Sequence, residues 1–167
     1  MKAFEEFKQN VFRVVEDQLP LADFEAWLYV QSELAEQMHI DAIYEAFCFH
    51  YGKRNANVEF TNTLLPYFDQ DEFLLWKVKA NLQDVIEGKP TTERILYEWY
   101  RTYDDKLGFL NSLGWYVSEL ECMEFTGLKR NEILDEAKES AADLLDQILR
   151  QEKGNPDFKI TNFKYPQ

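Results

Sequence analysis

Histidine, cysteine and glycine are scarce in this chain, and each scarcity removes a class of chemistry. His39 and His50 are the only two histidines. Glu36 and His39 form one E-x-x-H, whereas a ferritin-like di-metal bundle needs two such motifs and two more inward-facing glutamates. No metal or other cofactor is therefore expected. Cys48 and Cys122 lie far apart in apolar segments and make no Cys-x-x-Cys. They are expected to be reduced, buried and poorly reactive core thiols, as suits a cytoplasmic protein. Cys48 and His50 would diverge on a helix, so they form no catalytic dyad. The six glycines build no Walker A loop, no G-x-G-x-x-G turn and no G-x-S-x-G elbow. Neither histidine follows an arginine at the spacing of small helical HEPN-type ribonucleases.

Long apolar runs and basic charge are also in short supply. No stretch reaches the roughly 18 apolar residues that a membrane-crossing helix needs. The N-terminal MKAFEEFKQNVFRVVEDQ lacks the unbroken apolar core of a signal peptide and reads as an amphipathic helix. There are 18 Lys and Arg against 31 Asp and Glu, a net charge of −13. Nucleic acid and anionic membranes are disfavoured as partners, because both repel such a surface. A basic protein partner is favoured, although acidity also serves solubility alone.

What the chain has in quantity is apolar and aromatic surface. Hydrophobic residues make up 46% and aromatics 16%, enough for a real core in 167 residues. The stretch from Asp23 to Tyr51 holds much of the N-terminal aromatic inventory. In it, Ile40, Ile43, Tyr44, Phe47 and Tyr51 recur at helical steps, which predicts one buried face. Asp23 and Asp41 suit helix N-caps. A first helix over about Lys2 to Gln18 is expected to stop at Pro20. A short helix near Val58 to Leu65 and a longer one from Asp69 or Asp71 to Gly88-Lys89-Pro90 follow. Another starts at Thr91 or Thr92 and breaks at Gly108. Gly114 is expected to kink the apolar segment Phe109 to Met123. The last and most regular helix spans about Arg130 to Gln151. Phe158 to Tyr165 then reads as a docked, strand-like tail or a loose one.

These features predict an all-α, single-domain bundle (1–167) of about seven or eight helices with a short extended C-terminal tail. Trp27, Phe47, Trp76 and Trp99 are expected to be largely buried.

The wording FEAWLY…EL…IYEAFCFHYG, followed by a short helix, an EFLLWK helix and a GWY segment, resembles small helical proteins encoded beside bacterial polymorphic or contact-dependent toxins. The matching residues are Phe24, Glu25, Trp27, Leu28, Tyr29, Glu33, Leu34, Tyr44 and Tyr51. The resemblance implies an immunity protein that binds and neutralises a cognate toxin domain without catalysis. Many such toxins are nucleases with basic active sites, which suits an acidic inhibitor. An α-helical enzyme or small-molecule-binding protein with a pocket formed only in three dimensions is the alternative.

The candidate contact residues are carboxylates. On a wheel of about 100° per residue, Asp135, Glu136, Glu139, Asp143 and Asp146 fall within about 60° of Glu132. Ile133, Leu134, Ala137, Ala141, Leu144, Leu145 and Ile148 fall opposite. One face of the last helix is thus predicted to be core and the other a carboxylate ridge, either a solvated face or a docking face. Asp69, Asp71 and Glu72, and the pair Asp104 and Asp105, are secondary candidates. As helix ends they also have structural readings: the first group caps a helix, and the second is a solvated turn.

Overall fold

The computed structural model describes residues 2–102 and 106–164. It is all-α, with no strand among the described residues. Eleven α-helical segments are present there, seven of them of eight residues or more, so the longer ones match the number expected. No helix of the described residues is long and apolar enough to cross a membrane. The chain divides into two compact units, 1–73 and 74–167.

The first unit contains α1 (Lys2–Val15), α2 (Leu21–Tyr29), α3 (Ser32–Ala35), α4 (Asp41–Cys48) and α5 (Ala56–Leu64), a 3-10 turn (Leu65–Tyr67), and the start of α6 (Gln70–Glu87). Its core is rich in phenylalanine. Phe7, Phe12, Phe24 and Phe60 are fully buried. Phe24 meets Phe60 edge-on at 5.1 Å, and Phe12 meets Phe73 at 5.1 Å. Edge-to-face pairs of this kind add attraction beyond the area they bury.

Helix α1 ends at Val15, a little short of the expected Gln18, and Pro20 is not what stops it. Asp17 adopts a left-handed conformation (φ 55°). The Gln18 N–H donates to the Arg13 carbonyl at 2.8 Å, and the Asp17 N–H donates to Val14 at 3.1 Å. That is a Schellman ending with aspartate where glycine is usual. Pro20 instead precedes α2 as its N-cap. Asp23 therefore sits within the first turn of α2, and Asp41 is the first residue of α4, so neither is the cap expected of it.

The buried face of α4 also differs from the expected one. Ala42, Ile43 and Ala46 are buried, while Tyr44 is 50% exposed. The helix closes at Cys48, and Phe49 is extended, so Tyr51 lies beyond it and donates to the Ala46 carbonyl at 2.7 Å. The face bearing Ala42, Ile43 and Ala46 points inward, and Tyr44 lies on the other side of the helix. Trp27, Phe47 and Trp76 are half-buried, and only Trp99 of the expected four is buried. Cys48 and Cys122 are free and exposed rather than buried. Cys48 lies on the exposed side of α4 beside Tyr44, whose phenol its thiol raises above the ordinary range. Cys122 sits in a break between two short helices.

The second unit takes most of α6, then α7 (Thr92–Tyr100), α8 (Asn111–Gly114), α9 (Tyr116–Glu121), α10 (Met123–Thr126) and α11 (Arg130–Gly154). Its core is mainly aliphatic: Leu82, Ile95, Leu96, Leu110, Ala137, Ala141 and Ile148 are all essentially inaccessible. Gly88 ends α6 in the left-handed region (φ 65°), with Lys89 N–H donating to the Asp84 carbonyl, as the Gly-Lys-Pro sequence predicts. Helix α7 stops at Tyr100, well before Gly108. Asn111 helps to hold that end, because its amide donates to the carbonyls of Trp99 (3.4 Å) and Tyr100 (3.1 Å). The expected break around Gly114 is present, between α8 and α9. Gly114 is also where α8 meets α7 backbone to backbone: a β-carbon there would lie 2.2 Å from the Tyr100 nitrogen. The tail docks as a 3-10 turn (Ile160–Asn162), not as a strand. Ile160 is fully buried, and Phe163 meets Phe109 at 4.7 Å.

Candidate interaction face on the last helix

Helix α11 follows its sequence pattern closely. Ile133, Ala137, Ala141, Leu144 and Ile148 are buried, and Leu134 and Leu145 are half-buried beside them. The opposite face carries Glu132, Asp135, Glu136, Glu139, Asp143 and Asp146, all exposed. The helix starts after Gly127, whose left-handed φ of 70° turns the chain. Glu132 accepts a hydrogen bond from the Lys129 N–H at 3.0 Å, so this carboxylate satisfies a free donor of the first turn.

The six carboxylates are not equivalent. Asp135 pairs with Lys138 at 3.2 Å, and Asp146 pairs with Arg150 at 2.5 Å. Both pairs are solvent-exposed and contribute little. They nevertheless relieve the two ends of the ridge, relief that the sequence pattern alone had not indicated. Between them, Glu136, Glu139 and Asp143 form no ion pair among the described residues. Asp143 accepts only from the neutral amide of Gln147, at 2.6 Å. Like charges at these i,i+3 and i,i+4 spacings disfavour the helix slightly.

Two of these unrelieved carboxylates border a groove. Ser112, Leu113 and Tyr116 on one side, and Glu139, Ser140, Asp143 and Leu144 on the other, line a cleft of about 530 Å³. Leu113 and Leu144 are each 2% exposed and form its apolar base. The Tyr116 hydroxyl and Ser140 Oγ lie 2.9 Å apart and form a hydrogen bond. An apolar base, a hydroxyl pair and two carboxylates suit a long cationic side chain. Its stem would lie on the leucines, and its head would donate charge-assisted hydrogen bonds to the acids.

Comparison with protein-family models, curated proteins and solved structures finds no match for this chain. The reading of the site therefore rests on its own geometry.

The secondary candidates fare differently. Asp69 caps α6, accepting from the Glu72 N–H at 2.8 Å. Glu72 itself is paired with Lys8, which also holds Glu5 at 2.8 Å. Asp71 is half-buried in the first turn of α6. This group is engaged in fixing helix ends and tying α6 to α1. Asp104 and Asp105 lie outside the described residues. No group of three or more His, Cys, Asp or Glu among the described residues is arranged to hold a metal ion.

Ser112, Tyr116 and Ser140 were not singled out in the sequence. Ser140 alone left a trace there: at about 80° from Glu132 on the wheel, it is a small polar residue on the seam between the two faces. The groove also needs α8 and α9, and their approach to α11 has no sequence signature.

Proposed function

We propose that the protein is an immunity-type inhibitor that binds a basic toxin domain through the carboxylate face of α11 and neutralises it without catalysis. The observation that supports this reading most directly is the groove. The unrelieved Glu139 and Asp143 border an apolar-based cleft, so charge and shape favour the same kind of partner side chain. The net charge of −13 adds long-range attraction to a basic surface and speeds encounter at low salt. The FEAWLY…IYEAFCFHYG resemblance supports the toxin as the partner class, with the cytoplasm as its place of action. An inhibitor of this kind works by occlusion, since docking across a basic active site competes with its anionic substrate.

Co-expression with the product of the adjacent upstream open reading frame, followed by pull-down and binding kinetics, tests this proposal. In the triple variant Glu136→Lys, Glu139→Lys, Asp143→Lys, association is expected to slow by about tenfold or more at low salt, and its salt dependence should flatten. Unchanged kinetics with that toxin would remove α11 from the interface. Failure to bind any neighbouring toxin would remove the immunity reading itself.

A further inference from the structure

The longest stretch of the sequence without a Lys or Arg runs from Val14 to Gly52. It includes α2, α3 and α4 of the first unit. Here Asp23, Glu25, Glu33, Glu36, Asp41 and Glu45 form no ion pair among the described residues. The flanking helices do pair their acids, Glu5 with Lys8 at 2.8 Å and Glu59 with Lys53 at 2.5 Å.

The same helices leave aromatic rings in solvent. Tyr29 is 56% exposed and Tyr44 50% exposed, and Val30, which ends α2, is 75% exposed. Tyr29 meets Phe47 edge-on with ring centroids 5.8 Å apart, which joins α2 to α4 at this point. On α4, Tyr44 and Phe47 stand three residues apart and share one side. Tyr29, Phe47 and Tyr44 therefore form one continuous strip. Carboxylates border it at both ends: Glu25 lies one turn before Tyr29 on α2, and Asp41 and Glu45 flank Tyr44 on α4. Burial raises the Tyr51 phenol, and Tyr29 and Glu25 lie near enough to add to the shift, which puts those two on one side of α2. Single exposed aromatics are ordinary, whereas a contiguous strip of them marks an interaction surface.

We propose that this strip is a docking face for an arginine-bearing basic segment of a protein partner. Guanidinium planes stack on tyrosine and phenylalanine rings and fork to carboxylates, and they are more weakly hydrated than an ammonium. A purely apolar partner is excluded, because it would bury unpaired carboxylates. A second copy of the chain would bring like charges together. Nucleic acid and anionic membranes are repelled by the same carboxylates. The face belongs to the first unit, and the proposal does not depend on the reading of α11.

Titration of the full chain with hexa-arginine, following backbone amide resonances by NMR, tests it. The resonances of Tyr29, Tyr44 and Phe47 should shift saturably. Hexa-lysine, of equal charge, should bind this face about fivefold more weakly, the loss expected when stacking on exposed rings is removed. Tyr29→Leu combined with Tyr44→Leu should weaken hexa-arginine by a similar factor and erase its advantage over hexa-lysine. Tyr44→Ala alone, at a half-exposed position, should reduce that advantage and serves if the double variant does not fold. Shifts confined to α11, equal binding of the two peptides, or an arginine preference that survives the tyrosine substitutions overturns the proposal. Dependence of the Tyr29 and Tyr44 resonances on protein concentration without peptide would assign the strip to a second copy and overturn it as well.

Discussion

Helices α4 and α11 each carry an apolar pattern in sequence, yet only the longer one buries the face that its pattern predicts. In α11, 25 residues long, the apolar stripe runs from Ile133 to Ile148, more than four turns, and the carboxylates stay opposite it. One residue in the wrong place changes little over that length. Helix α4 has eight residues and two turns. Its aromatic residues Tyr44 and Phe47 suggested one face, but the face with Ala42, Ile43 and Ala46 is the one buried. In a short helix the tertiary neighbour outranks the wheel.

Gly114→Ala puts that lesson to its strongest test. By helix propensity alone the change should stabilise α8 by up to about 1 kcal/mol. The contact with the Tyr100 backbone predicts the opposite, a loss of about 3 kcal/mol or more, because no flexible side chain can yield. Chemical denaturation of the variant distinguishes the two by sign. A gain in stability would mean that the close approach of α7 and α8 is wrong.

A second test lies within α2. Phe24 and Trp27 look alike in sequence, and their rings are 5.7 Å apart. Phe24 is fully buried and Trp27 only half-buried. Phe24→Ala should cost about 3–5 kcal/mol, and Trp27→Ala roughly half of that. Equal losses from the two variants would restore the central core role that the sequence suggested for Trp27.

Asp17→Gly sharpens the contrast between the two Schellman endings. Gly88 occupies its left-handed position without strain, whereas Asp17 does not. The substitution should raise stability by about 0.5–1 kcal/mol, read from the shift of the denaturation midpoint at constant slope. A loss would mean that the aspartate side chain supports the turn in some other way.

The smallest effect expected concerns pH. Glu5 is held below the usual carboxylate range, first by its hydrogen bond to Lys8 and against a partial desolvation penalty. Its folded pKa is depressed, so its contribution is fully present above the unfolded value and disappears as pH falls through the lower folded value. Glu5→Gln should therefore lower stability near neutral pH and converge with the unmodified protein in acid. Parallel pH profiles of the two would show that the Glu5–Lys8 pair adds nothing.

The sequence by itself determined the helical class, the turn at Gly88 and both faces of α11, and it narrowed the cap of α6 to Asp69 or Asp71. Each of these depends on residues within a turn or two of one another, or on a period repeated many times, so the chain carries the information locally. Tertiary structure alone decided the rest. It exposed Tyr44, Cys48 and Cys122, left Trp27 half-buried, and brought Ser112 and Tyr116 to Glu139 and Asp143. These outcomes depend on which distant surface approaches and how closely its backbone can come. No spacing along the chain encodes that distance, because it is set by volumes contributed from several helices at once.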